Sequence, residues 1–136
     1  MREYKFRGKR VDNGEWVCGN LVTYFNKPSI QDYAQSNGEI FAVDPETVGQ
    51  YTGLKDRNGK DIYEEDVYYD PNKEMNMVVC YDSIQARYKA VPIELYKANA
   101  GNGGWTGYEV KGYAEVIGNI FEDGGLVDDY KKSKDD

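Results

Sequence analysis

Tyr51-Thr52-Gly53-Leu54-Lys55-Asp56-Arg57-Asn58-Gly59-Lys60-Asp61-Ile62-Tyr63 sets an Asn-Gly pair between two short runs that hold apolar and aromatic residues. Asn-Gly is the preferred pair where a tight turn between antiparallel strands needs successive residues at positive φ. Tyr51 and Leu54 before the pair, and Ile62, Tyr63 and Val67 after it, are the apolar anchors such a turn brings together. Lys55, Asp56, Arg57, Lys60 and Asp61 are expected to stay in water, because charged side chains are rarely buried unless paired. The same stretch imitates a phosphate-binding loop but fails its chemistry. Five residues separate Gly53 from Gly59 where that loop has four, and Asp61 stands where a Ser or Thr hydroxyl must hold magnesium.

The punctuation repeats on both sides. Asp12-Asn13-Gly14, Asn37-Gly38, Asn102-Gly103-Gly104 and Asp123-Gly124-Gly125 are further turn signals. Between them, the aromatic and β-branched runs 4–11, 16–25, 30–35, 39–43, 48–52, 67–69, 76–81, 87–91 and 115–121 read as strands. Asp44-Pro45-Glu46-Thr47 has a capping residue followed by Pro at the first helical position, but Gly49 and Gly53 leave room for one turn. Runs 83–89 and 93–100 are the other candidates for short helices. Fifteen glycines spread through the chain argue against anything longer. The expected fold is mainly β with only short helical pieces.

Composition excludes more than it selects. The 136 residues are one domain's worth, on a prior of roughly 100–200 residues per domain. At 40% hydrophobic and 30% charged, the chain is globular. Thirteen tyrosines, with 4 Phe and 2 Trp, suit half-buried strands and interfaces. Histidine is absent, which removes His-based triads, His general bases and His-ligated metals. Serines at 29, 36, 83 and 133 sit in no nucleophile elbow. Glu64, Glu65 and Asp66, with Asp61 and Asp70, offer no register with the alternating ligands, central Gly and terminal Glu of a calcium loop. No catalytic, cofactor-binding or metal-binding residue is assigned, no cofactor is expected, and the protein is read as a non-enzyme.

Cys18 and Cys80 lie in apolar runs without a Cys-x-x-Cys spacing and are expected to be reduced and buried. The longest apolar run, 77–81, is too short to span a bilayer, and no apolar segment follows Met1 as a secretory signal does. A cytoplasmic protein without membrane contact is expected. The formal charge of −7 is uneven, since residues 1–10 carry five bases against one acid. On a strand, Lys5, Arg7 and Lys9 share one face while Tyr4, Phe6 and Gly8 take the other. That cationic face either meets phosphate or lies against the protein's own carboxylates, and the acidity of the remaining chain favours the second. The charged tail 128–136 is expected to fray.

The block from Val48-Gly49-Gln50-Tyr51-Thr52-Gly53 to Ile62-Tyr63-Glu64-Glu65-Asp66-Val67 resembles the YopX family of phage and prophage proteins. Arg2-Glu3-Tyr4-Lys5-Phe6-Arg7 is similar to the family's opening, and Glu115-Val116-Ile117-Gly118-Asn119-Ile120-Phe121-Glu122 to its closing strand. Two positions depart from the pattern. The family usually has Gly where Glu65 stands, which puts a positive-φ turn there in doubt, and often has Trp where Gly8-Lys9 stand. The resemblance implies a small SH3-like β-barrel over 61–127, preceded by a smaller β-rich lobe over 1–60. It implies a phage or prophage accessory protein in the cytoplasm of a bacterial host, with no catalytic set. The expected function is therefore non-enzymatic binding of a host or phage protein, with homo-oligomers left open. The alternative is nucleic-acid binding through the basic strand Arg2 to Arg10.

Overall fold

A computed structural model describes residues 3–33, 36–99 and 104–122. The chain divides between Gly53 and Leu54 into two compact units. This division falls earlier than the expected boundary at 60, so the Asn58-Gly59 turn belongs to the second unit. The tail 128–136 and the turn signals at Asn102-Gly103 and Asp123-Gly124-Gly125 lie outside the described residues.

The first unit is built from β1 (Phe6–Lys9), β2 (Trp16–Tyr24), β3 (Lys27–Asp32), β4 (Glu39–Ala42) and β5 (Gly49–Lys55), which continues past the division. The antiparallel order is β4-β3-β2-β1-β5. Val17, Ile30 and Val43 form its core, with Phe6, Phe41 and Val48 packed against them. A Cβ on Gly8 would lie 3.0–3.2 Å from the Val43 side chain, so a larger residue there fits only if Val43 shifts. The sheet curls, so that Arg10 at the end of β1 pairs with Val43 just after β4. Asp44 N donates to Lys9 O at 2.8 Å and Val11 N to Ala42 O at 3.0 Å. The Asp44 start signal yields one 3-10 turn (Pro45–Thr47), with the Asp44 carboxylate accepting from Glu46 N at 3.1 Å.

Two of the unit's hairpins turn where the sequence places them, with Gly14 at φ +73° and Gly38 at φ +86°. The β2–β3 hairpin is different. Tyr24 pairs with Lys27, leaving a two-residue loop in which Phe25 has φ +50° and Asn26 φ +61°. Those signs define a type I′ turn made without glycine.

The second unit contains β6 (Asp61–Tyr63), β7 (Asp66–Asp70), β8 (Met75–Asp82), β9 (Arg87–Pro92), α1 (Ile93–Ala98) and β10 (Glu115–Asn119). Its main sheet has the antiparallel order β10-β7-β8-β9. Alternate residues of each strand enter different clusters. Tyr68, Met77, Val79 and Ala90 pack with Ile62, Ala114 and Val116. Val67, Val78, Cys80 and Val91 pack with Ile93, Tyr96, Trp105 and Ile120. A sheet covered on both faces reads as an unbroken apolar run, which is why Met77-Val78-Val79-Cys80 shows no alternation. In β10, Ile117 is an extra residue between the pairs Val116–Tyr68 and Gly118–Val67, a β-bulge.

The fold is mainly β, and of the two candidate runs 93–100 holds the short helix α1, whereas 83–89 forms a turn and the start of β9. The described strands make two antiparallel sheets rather than a closed barrel. Pro92 ends β9 and the chain enters α1, and on the other side of β9 Ala90 bridges to Tyr108. The expectation for the cysteines is corrected at one position. Both thiols are free, but only Cys80 is buried, and Cys18 is exposed. Cys18 pairs with Arg7 across the sheet, and the pleat that turns Val17 inward turns Cys18 outward. Burial pushes the Cys80 thiol far above its ordinary value.

Candidate functional site

Three features could carry function: the basic strand β1, the β2–β3 tip and the turn after β5. In and beside β1, Lys5, Arg7 and Arg10 lie against groups of their own unit. Lys5 Nζ is 4.8 Å from the Tyr51 ring centroid and 3.4 Å from a Glu3 carboxylate oxygen. The Arg7 guanidinium lies 5.0 Å over Trp16, and that of Arg10 lies 3.9 Å over Phe41. Arg10 also forks onto Asp12, Nε to Oδ1 at 3.0 Å and Nη2 to Oδ2 at 2.7 Å. This pairing raises the guanidinium pKa and lowers that of the carboxyl. Stacking of this kind contributes about 0.5–1 kcal/mol at exposed sites. Arg2 lies outside the described residues.

The β2–β3 tip presents apolar rings to solvent. Phe25 is 81% exposed and Tyr24 49%, with the rings edge-to-face at 4.5 Å between centroids. Leu21, earlier on β2, is exposed as well. Between Glu15 and Asp32 the chain carries one charge, Lys27. An L-residue in the left-handed region costs roughly 1–2 kcal/mol, and a bulky one is uncommon there. The sequence reading missed this turn because it looked for glycine. The available signal was Asn26 followed by Lys27-Pro28, since Asn tolerates positive φ. Paired exposed aromatics on a rigid hairpin can fill a partner's pocket, the chemistry by which Tyr and Phe enrich interface cores.

The turn after β5 is organised by a carboxylate expected to be solvated. Asp56 is buried. Its Oδ1 accepts from Asn58 N at 2.8 Å and Lys60 N at 2.9 Å, and its Oδ2 accepts from Val116 N at 2.9 Å. Gly59 N donates to Asp56 O at 3.0 Å, and Asp56 N to Lys60 O at 2.8 Å. Burial penalises the charge, but the backbone donors outweigh it and hold the carboxyl below its ordinary value. Only Gly59, at φ +80°, takes the left-handed region, so the connection is a three-residue turn ending in glycine. Tyr51, Ile62, Tyr63 and Val67 are buried as expected, while Leu54 is exposed. Lys60 stays in water, and Asp61 pairs with Lys55 at 2.7 Å. Glu65 has φ +75°, so the turn survives with Glu in the conformation that suits glycine.

Other acidic residues weighed as ligands serve the same structural purpose. Asp66 Oδ2 accepts from Tyr63 N at 2.7 Å, and Asp70 Oδ1 from Asn72 N at 2.8 Å and Lys73 N at 3.1 Å. Asp82 was not singled out by the sequence, yet both of its carboxylate oxygens are bonded. Its Oδ1 accepts from Ile84 N and Gln85 N, and its Oδ2 from Trp105 N at 2.9 Å and Lys89 Nζ at 2.7 Å. Lys89 Nζ also donates to Trp105 O at 2.6 Å, and Trp105 stacks on Tyr96 at 5.4 Å. The ammonium first, then the backbone donors, hold the Asp82 carboxyl well below the usual carboxylate range. Among the described residues no three His, Cys, Asp or Glu side chains gather as a metal cluster. Among them, too, no helix is long and apolar enough to cross a membrane.

No curated protein matches the chain. The family model described as YopX protein matches residues 5–128, from β1 through the Asp56 turn to beyond β10. With nearly its whole length inside that match, the chain belongs to the YopX family.

Proposed function

We propose that this is a phage- or prophage-type accessory protein that acts in the cytoplasm of a bacterial host by binding a host or phage protein, not by catalysis. The contact is the β2–β3 tip. One observation carries this reading: a phenylalanine sits at positive φ, 81% exposed, where a hairpin needs only Asn or Gly. Strain retained at such a position points to a use for the side chain. Supporting it, the buried carboxylates of the second unit are engaged in turns and one ion pair, which leaves them little freedom for proton transfer. The β7-β8-β9 meander, with β10 returning to β7, suits a small SH3-like scaffold that presents surfaces rather than a reactive cleft. The nucleic-acid alternative has weaker support, because Lys5, Arg7 and Arg10 are stacked on the unit's own rings.

The test is a photoreactive benzoyl-phenylalanine at position 25 of the full chain, expressed and illuminated in a bacterial host. A discrete protein adduct is expected, weakened by Lys27→Glu and absent when the probe replaces Ile84, which is 75% exposed in the second unit. No adduct at 25, or equal adducts at both positions, overturns the proposal. A steep loss of single-strand binding with salt would favour the alternative.

A further inference from the structure

We infer that, of the Asn-Gly positions among the described residues, Asn37 is the one at which the folded protein deamidates, turning its side chain into a carboxylate. Asn-Gly peptides are the susceptible ones, because glycine puts no Cβ in the way of its own nitrogen as it approaches the preceding carboxamide. Three lie among the described residues: Asn13-Gly14, Asn37-Gly38 and Asn58-Gly59. The glycine nitrogens do not distinguish them. Gly14 N donates to Arg10 O at 2.9 Å, Gly38 N to Asp32 O at 2.9 Å and Gly59 N to Asp56 O at 3.0 Å.

The side chains do distinguish them. Asn13 Oδ1 accepts from Glu15 N at 2.9 Å, and its Nδ2 donates to Glu15 Oε2 at 3.3 Å. Asn58 donates its backbone N–H to Asp56 and its Nδ2 to Glu115 Oε1 at 3.4 Å, inside the turn that the buried Asp56 ties. The Asn37 carboxamide is exposed and has no hydrogen-bond partner among the described residues. The backbone around it is tied by Ser36 Oγ to Asp32 O and Glu39 N and by Gln31 Nε2 to Gly38 O. Of the three carboxamides, however, it alone is free to rotate toward the glycine nitrogen once the Gly38–Asp32 bond opens.

The chemistry needs only base and water. The Gly38 nitrogen gives up its proton and attacks Cγ of Asn37, a C–N bond forms, and Nδ2 leaves as ammonia. Water then opens the succinimide at either carbonyl, giving aspartate or isoaspartate. The aspartate puts a new negative charge beside Glu39. The isoaspartate adds a methylene to the backbone of a connection closed by the Gly38–Asp32 bond. Both loosen the β3–β4 pairing.

The full chain is incubated at about pH 8 and 37 °C, with and without urea, and the three sites are followed by peptide mapping. In the folded protein Asn37 should convert at least about tenfold faster than Asn13 or Asn58, since held sites react only after local opening. In urea the three rates should converge to within about threefold. Conversion of Asn13 or Asn58 as fast as Asn37 in the folded chain overturns the inference. So does an Asn37 advantage that persists undiminished in urea, which would make it an effect of neighbouring sequence.

Discussion

The two units differ in how far they bury charge and apolar surface, although the first also buries Asp32 and the second also leaves Ile84 in solvent. The second buries aspartates at its turns, pairs a buried lysine with one of them, and covers its sheet on both faces. The first keeps a core of three fully packed residues, stacks its cations on surface rings and leaves Tyr24 and Phe25 in solvent. A buried carboxylate bonded to several backbone N–H groups holds a turn in one geometry, because each donor left unbonded costs about 1–3 kcal/mol. A positive-φ phenylalanine does the reverse, and lowers stability where it sits. The second unit also holds Glu65, Glu74 and Ala86 at positive φ, so what sets the first apart is that a positive-φ residue there carries a ring left in solvent.

The strongest way to break this contrast is Lys89→Met, which keeps the aliphatic stem but leaves the buried Asp82 without its cation. The second unit should lose more than about 10 °C of melting temperature, since stranding one partner of a buried pair is strongly destabilising. Single-tryptophan variants read the two units separately, through Trp16 and Trp105. In the single-tryptophan variants with Lys89 in place, the same readout has a pH dependence. Asp82 and Asp56 are held below the ordinary carboxylate value, so their contribution is complete above about pH 4 and is lost as pH falls through their folded values. The Trp105 transition should weaken in acid before the Trp16 transition does.

Next in size is Asp56→Ala, which strips the acceptor from Asn58, Lys60 and Val116 N–H groups and should cost about 2 kcal/mol by urea denaturation. Glu65→Gly sharpens the contrast from the other side, raising stability by about 1 kcal/mol as left-handed strain is relieved. Lys60→Ala, in the same turn as Asp56 but exposed, should stay within about 0.5 kcal/mol.

Local pattern was enough to place nearly every strand, because aromatic and β-branched runs between glycine turns have few other uses. It failed where a long-range partner decides. Nothing near Asp56 announces burial, and one donor that makes it tolerable, Val116 N, is sixty residues away. Asp82 was invisible for the same reason, with Trp105 arriving from beyond α1. Cys18 was misplaced because Trp16-Val17-Cys18 alternates without saying which side faces the core, and Arg7 across the ladder settles it. β6, at three residues, is too short for a period to show. The tip was missed because Phe25 breaks the rule used to find turns, and a broken local rule is what a contact surface tends to leave in a sequence.

The place of β10 in its sheet bears on how the chain is made. β7 pairs with β8, its immediate successor, and with β10, the last described strand. During synthesis from the N-terminus, every strand that pairs within the first unit has emerged by Lys55. The flank of β7 stays open until 115–119 leave the ribosome. For that interval Tyr68 and Val67 lie on an unpaired edge, the kind that recruits foreign strands. A nascent chain stalled just before Glu115 is thus the form of this protein most in need of a chaperone.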